Sequence, residues 1–158
     1  MNYSPVFRKG KTLYILDQRK LPFYEIYVKC KTVNDVAWCI KDMVVRGAPA
    51  IGITAAYGMA LSTEEKKFRY SENIRDKVIK RASQILLKTR PTAINLSWAV
   101  NRMKDVYLEI KKESPYKISE LLWKEAEGIY KENIKMDTAI AINAFNLFSS
   151  KRKYNILT

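Results

Sequence analysis

The segment Arg46-Gly47-Ala48-Pro49-Ala50-Ile51-Gly52 constrains the chain more than any other, because it dictates a helix, a sharp corner and a second helix. Gly47 tolerates the left-handed conformation that closes a helix, so the preceding helix is expected to end on it. Pro49 suits the first turn of the next helix, where a missing N–H costs nothing. The unbonded N–H groups of that turn then point outward beside the Arg46 guanidinium. A helix N-terminus next to an arginine is a ready site for a phosphate.

A similar arrangement recurs at Thr89-Arg90-Pro91-Thr92-Ala93-Ile94-Asn95-Leu96. Here again an arginine precedes a proline that opens an apolar-periodic helix, with Thr89 or Thr92 as its cap. Taken singly, each corner reads as a helix junction carrying a solvated arginine. Taken as a pair, with small residues packed behind the first, they read as two corners gripping one phosphorylated ligand.

The rest of the pattern places these corners in a mostly helical α+β fold. Residues 6–30 read as a short β meander. Val6-Phe7 and Leu13–Leu16 flank a Lys9-Gly10 turn, and Phe23–Cys30 alternates as a strand. Between them lies the polar loop Asp17-Gln18-Arg19-Lys20-Leu21-Pro22, a surface turn or a contributor to the cleft. About six helices follow. The first starts at a Thr32/Asp35 capping box and turns Val33, Val36, Ala37, Ile40, Met43 and Val44 inward. The second covers 49–62, and its glycines each cost roughly 1 kcal/mol against alanine. Gly52 and Gly58 therefore imply close approach by another backbone or a ligand, or tight helix packing. The third covers 71–88, the fourth 92–112, the fifth starts at Ser114-Pro115, and the sixth covers 134–149. Trp38, Trp98 and Trp123 fall on or beside apolar faces as core or interface residues, with Trp98 also within reach of a ligand. A strand-like run, Tyr154-Asn155-Ile156-Leu157-Thr158, comes last.

Composition narrows the chemistry. The chain has 158 residues, 47% of them hydrophobic, which suits one globular domain with a proper core. It contains no histidine and only Cys30 and Cys39, not spaced as CxxC. Cys/His metal sites and histidine-based catalysis are therefore excluded, and no metal is expected. Both cysteines read as buried, reduced thiols of a cytoplasmic protein. The net charge of +13 raises nucleic acid as a partner, but the lysines are spread along the chain without a dense run. A solvated surface accounts for them better than a nucleic-acid face does. The N-terminal residues lack a signal-peptide plan, and the uncharged stretch Ala48–Leu61 is too short and too glycine-rich for a membrane span.

Together, Leu16-Asp17-Gln18-Arg19-Lys20-Leu21-Pro22 and the two arginine corners, in this order, resemble the S-methyl-5-thioribose-1-phosphate isomerase family of methionine salvage. Its superfamily includes the regulatory subunits of translation initiation factor 2B and ribose-1,5-bisphosphate isomerase. Pro49 favours the thioribose enzyme over its bisphosphate relative. The resemblance implies conversion of 5-methylthioribose 1-phosphate to 5-methylthioribulose 1-phosphate, an aldose–ketose isomerisation without metal or nucleotide cofactor. It implies that Arg46, Gly47, Ala48 and Arg90 bind the substrate, a small sugar phosphate, and that the intact protein is a homodimer. The family's catalytic cysteine follows an Ile-Leu-Thr strand, here Ile156-Leu157-Thr158. That cysteine and the catalytic aspartate are thus expected beyond Thr158, and no catalytic residue is expected in this chain. The implied division is an N-terminal domain over 1–152, with 153–158 as the first strand of a Rossmann-like domain that is otherwise missing. The alternatives are a regulatory or interaction module of the initiation factor 2B type, and an enzyme like ribose-1,5-bisphosphate isomerase.

Overall fold

Three short antiparallel strands and five helices make up the described part of the computed structural model, which covers residues 4–148, Lys153 and Asn155. The strands β1 (Val6–Lys9), β2 (Thr12–Leu16) and β3 (Tyr27–Cys30) form a meander in the order β1-β2-β3. Val6 pairs with Ile15, and Ile15 in turn with Val28. Gly10 takes φ 60° in the tight link between β1 and β2, a conformation that glycine reaches without a Cβ penalty. β3 is shorter than the expected strand over 23–30. Its first half instead folds back as a loop, with Tyr24 N–H donating to the Lys20 carbonyl and Asp17 N–H to the Ile26 carbonyl. Those bonds leave Phe23, Tyr24 and Ile26 exposed.

Helix α1 (Val33–Lys41) begins at the expected capping box. Thr32 Oγ1 accepts from Asp35 N–H, and the Asp35 carboxylate accepts from Thr32 N–H. Its end is not where Gly47 was expected to place it. Met43, at φ 58°, takes the left-handed position. Val44 N–H then reaches the Cys39 carbonyl and Met43 N–H the Ile40 carbonyl, the paired bonds of a Schellman motif. Met43 is consequently exposed rather than inward. Gly47 instead precedes α2 (Ala48–Leu61) at φ 90° and ψ 131°, still a conformation that favours glycine.

From Ile51 to Leu61 every residue of α2 is buried. It packs against α1, α3 (Glu72–Leu87), α4 (Ile94–Ile110) and α5 (Pro115–Asn146) and touches β1 and β2. The glycines permit this crowding. A Cβ built on Gly52 would lie 2.8 Å from the Asn95 carbonyl oxygen, so the α4 backbone occupies that space. At Gly58 the neighbours are the Val36 and Leu86 side chains.

The two last helices expected from the sequence are one. α5 runs unbroken for 32 residues, since no proline or glycine interrupts it near residue 133. Asn133 Nδ2 donates to Asp137 Oδ2 across the expected break. The first half of α5 is anchored: Arg102 of α4 clamps Glu125 and Glu132. Beyond Glu132 the helix leaves the core, and Ile134, Met136, Ile140, Ile142 and Phe145 stand exposed. The strand expected at the C-terminus, and with it the boundary near 152, lies outside the described residues apart from Lys153 and Asn155.

The polar loop after β2 is a brace. Asp17 is 4% exposed and takes a bidentate hold on Arg19, with Nε–Oδ1 2.8 Å and Nη2–Oδ2 2.7 Å. The Arg19 guanidinium also covers the Trp38 ring, and Gln18 N–H donates to the Val44 carbonyl. This loop therefore fastens the sheet to the α1–α2 corner. The bond from Arg19 holds the Asp17 carboxyl below its ordinary value of 3.8. Its contribution to stability is then complete above that value and is lost as pH falls through the lowered folded-state value. Asp17→Asn should accordingly be less stable than the native chain at pH 7, and the difference should shrink in acid. Urea midpoints at neutral and at acid pH check this; a constant gap across pH would show that the carboxylate charge is not what matters.

Candidate functional site

Both arginine corners open on one cleft. Met43, Arg46, Gly47 and Ala48 line one side, Arg90 and Asn95 the other, around a volume of about 530 Å³. The structure thus brings together all four residues expected to bind substrate.

Local chemistry explains why this cleft suits an anion. Among the described α-helices, α1, α3 and α5 carry side-chain N-caps, from Thr32, Ser71 and Ser114. α2 and α4 carry none. Thr89 and Thr92 do not cap α4 as expected. Thr89 Oγ1 donates instead to the Leu86 carbonyl at 2.6 Å, finishing α3. Pro91 does not open α4 either; it sits in the turn closed by Ala93 N–H on the Arg90 carbonyl, and the helix starts at Ile94. The N–H groups of Ala48, Ala50, Ile94 and Asn95 have no acceptor among the described residues. These are the donors that a helix start leaves open, and they concentrate positive potential.

The arginines add to that potential. Arg8, Arg19, Arg69, Arg81 and Arg102 each face a carboxylate. Arg46 and Arg90 have no carboxylate partner among the described residues. Cationic heads that are not neutralised at home are available to a ligand. Met43 and Asn95 were missed as cleft residues: Met43 enters through its left-handed turn, and Asn95 through the packing of α4 on Gly52.

Other candidates fall elsewhere. Trp98 is 49% exposed, lies under the Arg102 guanidinium, and lines a smaller cavity of about 120 Å³ with Pro49, Gly52 and Ile129. Asp17 and Arg19 pair with each other, and the loop touches the α1–α2 corner beside the cleft through Arg19 Nη1 on the Asp42 carbonyl and Gln18 N–H on the Val44 carbonyl. Cys30 and Cys39 are buried thiols, not joined in a disulfide, and neither lines the cleft. Among the described residues no group of His, Cys, Asp and Glu could hold a metal, and no helix is long and apolar enough to cross a membrane.

Known proteins are similar to this chain in sequence and in fold. Over 139 residues the chain is 47% identical to the methylthioribose-1-phosphate isomerase of Thermotoga neapolitana, covering 87% of this chain and 38% of that protein. It is 42% identical over 153 residues to the isomerase of the same name from Carboxydothermus hydrogenoformans, covering 97% of this chain and 43% of that one. The crystal structure of 5-methylthioribose 1-phosphate isomerase from Pyrococcus horikoshii superposes with a TM-score of 0.75 at 39% identity, over 83% of this chain and 39% of that one. Subunit delta of translation initiation factor eIF-2B from A. fulgidus superposes with a TM-score of 0.77 at 34% identity, over 84% of this chain and 38% of that one. The chain therefore spans about two fifths of the length of these relatives. The model of the initiation factor 2 subunit family matches residues 44–158, beginning at the turn that carries Arg46, and the chain belongs to that family.

Proposed function

We propose that this chain is the phosphate-gripping N-terminal portion of an isomerase that converts 5-methylthioribose 1-phosphate to 5-methylthioribulose 1-phosphate in methionine salvage. The observation that carries this reading is the shared cleft, where two uncapped helix starts meet Arg46 and Arg90 without carboxylates. Arg46 and Arg90 would hold the phosphate by charge-assisted bonds, and the Ala48 N–H would add a backbone donor that Gly47 aims. The reaction moves hydrogen between two carbons of one molecule, so its electrons balance without an external redox partner. Handling that hydrogen falls to the cysteine and aspartate that the resemblance places beyond Thr158. Arg46, Gly47, Ala48 and Arg90 thus bind substrate, and this chain alone does not turn it over.

The exposed apolar half of α5 supports a second, Rossmann-like domain that begins near residue 153 and packs there. The intact protein, in this reading, is a cytoplasmic homodimer. The test is a calorimetric titration of the chain with 5-methylthioribose 1-phosphate, beside an isomerisation assay. Binding without turnover is the expected result, with binding lost in the Arg46→Ala, Arg90→Ala double variant. Unaltered binding in that variant would overturn the proposal.

The TM-score of 0.77 to the initiation-factor subunit favours a second reading, a regulatory module. A chain that ignores sugar phosphates altogether would support it.

A further inference from the structure

The chain's two cysteines touch. Cys30 Sγ and Cys39 Sγ lie 3.6 Å apart, and both residues are 0% exposed. They belong to different elements: Cys30 ends β3, a four-residue strand at the edge of the sheet, and Cys39 lies on α1. A disulfide needs its sulfurs at about 2.05 Å, so closure requires a further approach of roughly 1.5 Å between two side chains already in contact.

Cys39 also does a second job. Its backbone carbonyl accepts Val44 N–H at 2.9 Å and Val45 N–H at 3.4 Å. Those bonds shape the turn through Met43 that delivers Arg46 to the cleft. A pull on Cys39 towards β3 is therefore a pull on the backbone that holds this corner.

We propose that Cys30 and Cys39 are an oxidisable dithiol, closed to a disulfide by hydrogen peroxide, whose closure loosens the Val44–Arg46 corner. In the first step one sulfur attacks the peroxide: an S–O bond forms, the O–O bond breaks and one water leaves. The second thiol then attacks the resulting sulfenic sulfur, an S–S bond forms, the S–O bond breaks and another water leaves. The two sulfurs are oxidised together by two electrons, and the peroxide is reduced to two waters. A thiol reductant reverses the change by exchange.

The setting makes this reaction slow. The bond with Cys39, together with burial, pushes the Cys30 thiol well above its usual range. Peroxide reaches the pair only when the short edge strand opens, and such local opening is easiest at sheet edges and chain segments with few neighbours. The competing view is a pair of small apolar side chains that merely fill the core.

The test uses the chain itself, where no other cysteine complicates the mass. The folded protein is incubated with hydrogen peroxide and followed by intact mass, peptide mapping and amide exchange. The expected product has lost the mass of two hydrogens, joins the Cys30 and Cys39 peptides, and reverts with dithiothreitol. In it, exchange at Val44 and Val45 should quicken about tenfold. The Cys30→Ala variant should form no such bond and show no change of exchange on treatment. Retention of both thiols, or gain of oxygen alone, overturns the dithiol. Cross-linking with unchanged exchange at Val44 and Val45 overturns its connection to the corner. Neither readout depends on what the cleft binds.

Discussion

Replacing Arg46 with alanine is expected to weaken sugar-phosphate binding about 10- to 100-fold, because a hydrogen bond to a charged group contributes about 1.5–3 kcal/mol. The substitution should leave stability nearly unchanged. Arg46 is exposed and has no carboxylate partner among the described residues, so its removal strands nothing. Arg90→Ala should behave alike, and the double variant should lose less than the sum, since both side chains are assigned the same phosphate. Arg46→Lys should recover only part of the loss, because an ammonium cannot make the paired bonds of a guanidinium. Calorimetry at two salt concentrations checks the set, as a partly open cleft loses affinity when salt screens it. Native affinity in Arg46→Ala would remove this residue from the site.

Gly52→Ala should destabilise the chain by about 2 kcal/mol, against the usual rule that alanine improves a helix by roughly 1 kcal/mol over glycine. The reason is the obstacle. Its methyl would meet the Asn95 carbonyl oxygen at 2.8 Å and the Asn95 carbonyl carbon at 3.2 Å, which is backbone and cannot rotate aside. α4 would have to shift at its first turn, and that turn is one wall of the cleft, so ligand affinity should fall along with stability. Gly58→Ala supplies the comparison. There the nearest atoms are Val36 Cγ1 at 3.0 Å and the Leu86 methyl carbons, which can yield, and the gain in helix propensity should leave the net change within about 1 kcal/mol. Urea denaturation of the two variants decides the matter: equal costs at both positions would mean that the α4 backbone does not set the price at Gly52.

Elements with strong local signals were legible in the chain. The Thr32/Asp35 box and the starts at Ser71 and Ser114 stand where side-chain caps and apolar spacing put them. Departures arose where tertiary bonds or geometry override local preference. Met43 closes α1 although methionine does not favour φ 58°, because Val44 and Val45 are needed in the core behind it. The strand expected from Phe23 stops being one because its first residues bond back into their own loop. α5 continues through Asn133, since a change of exposure is not a helix stop. The cleft was half legible: each corner announces an anion-friendly helix start, and the idea of a pair follows. Which cleft residues join them, Asn95 above all, depends on how closely α2 and α4 approach, which is a property of packing.

The burial of α2 has a consequence for the order in which the chain assembles. A helix of 14 residues with two internal glycines, Gly52 and Gly58, is marginal by itself in water. Its walls come from segments as far apart in the chain as β1 and α5. α2 therefore acquires its structure only as those distant segments arrive, and long-range closure of this kind slows folding. A nascent chain ending before Pro115 would lack the α5 wall and expose the middle of α2, so during synthesis the cleft should take shape only after α5 has emerged.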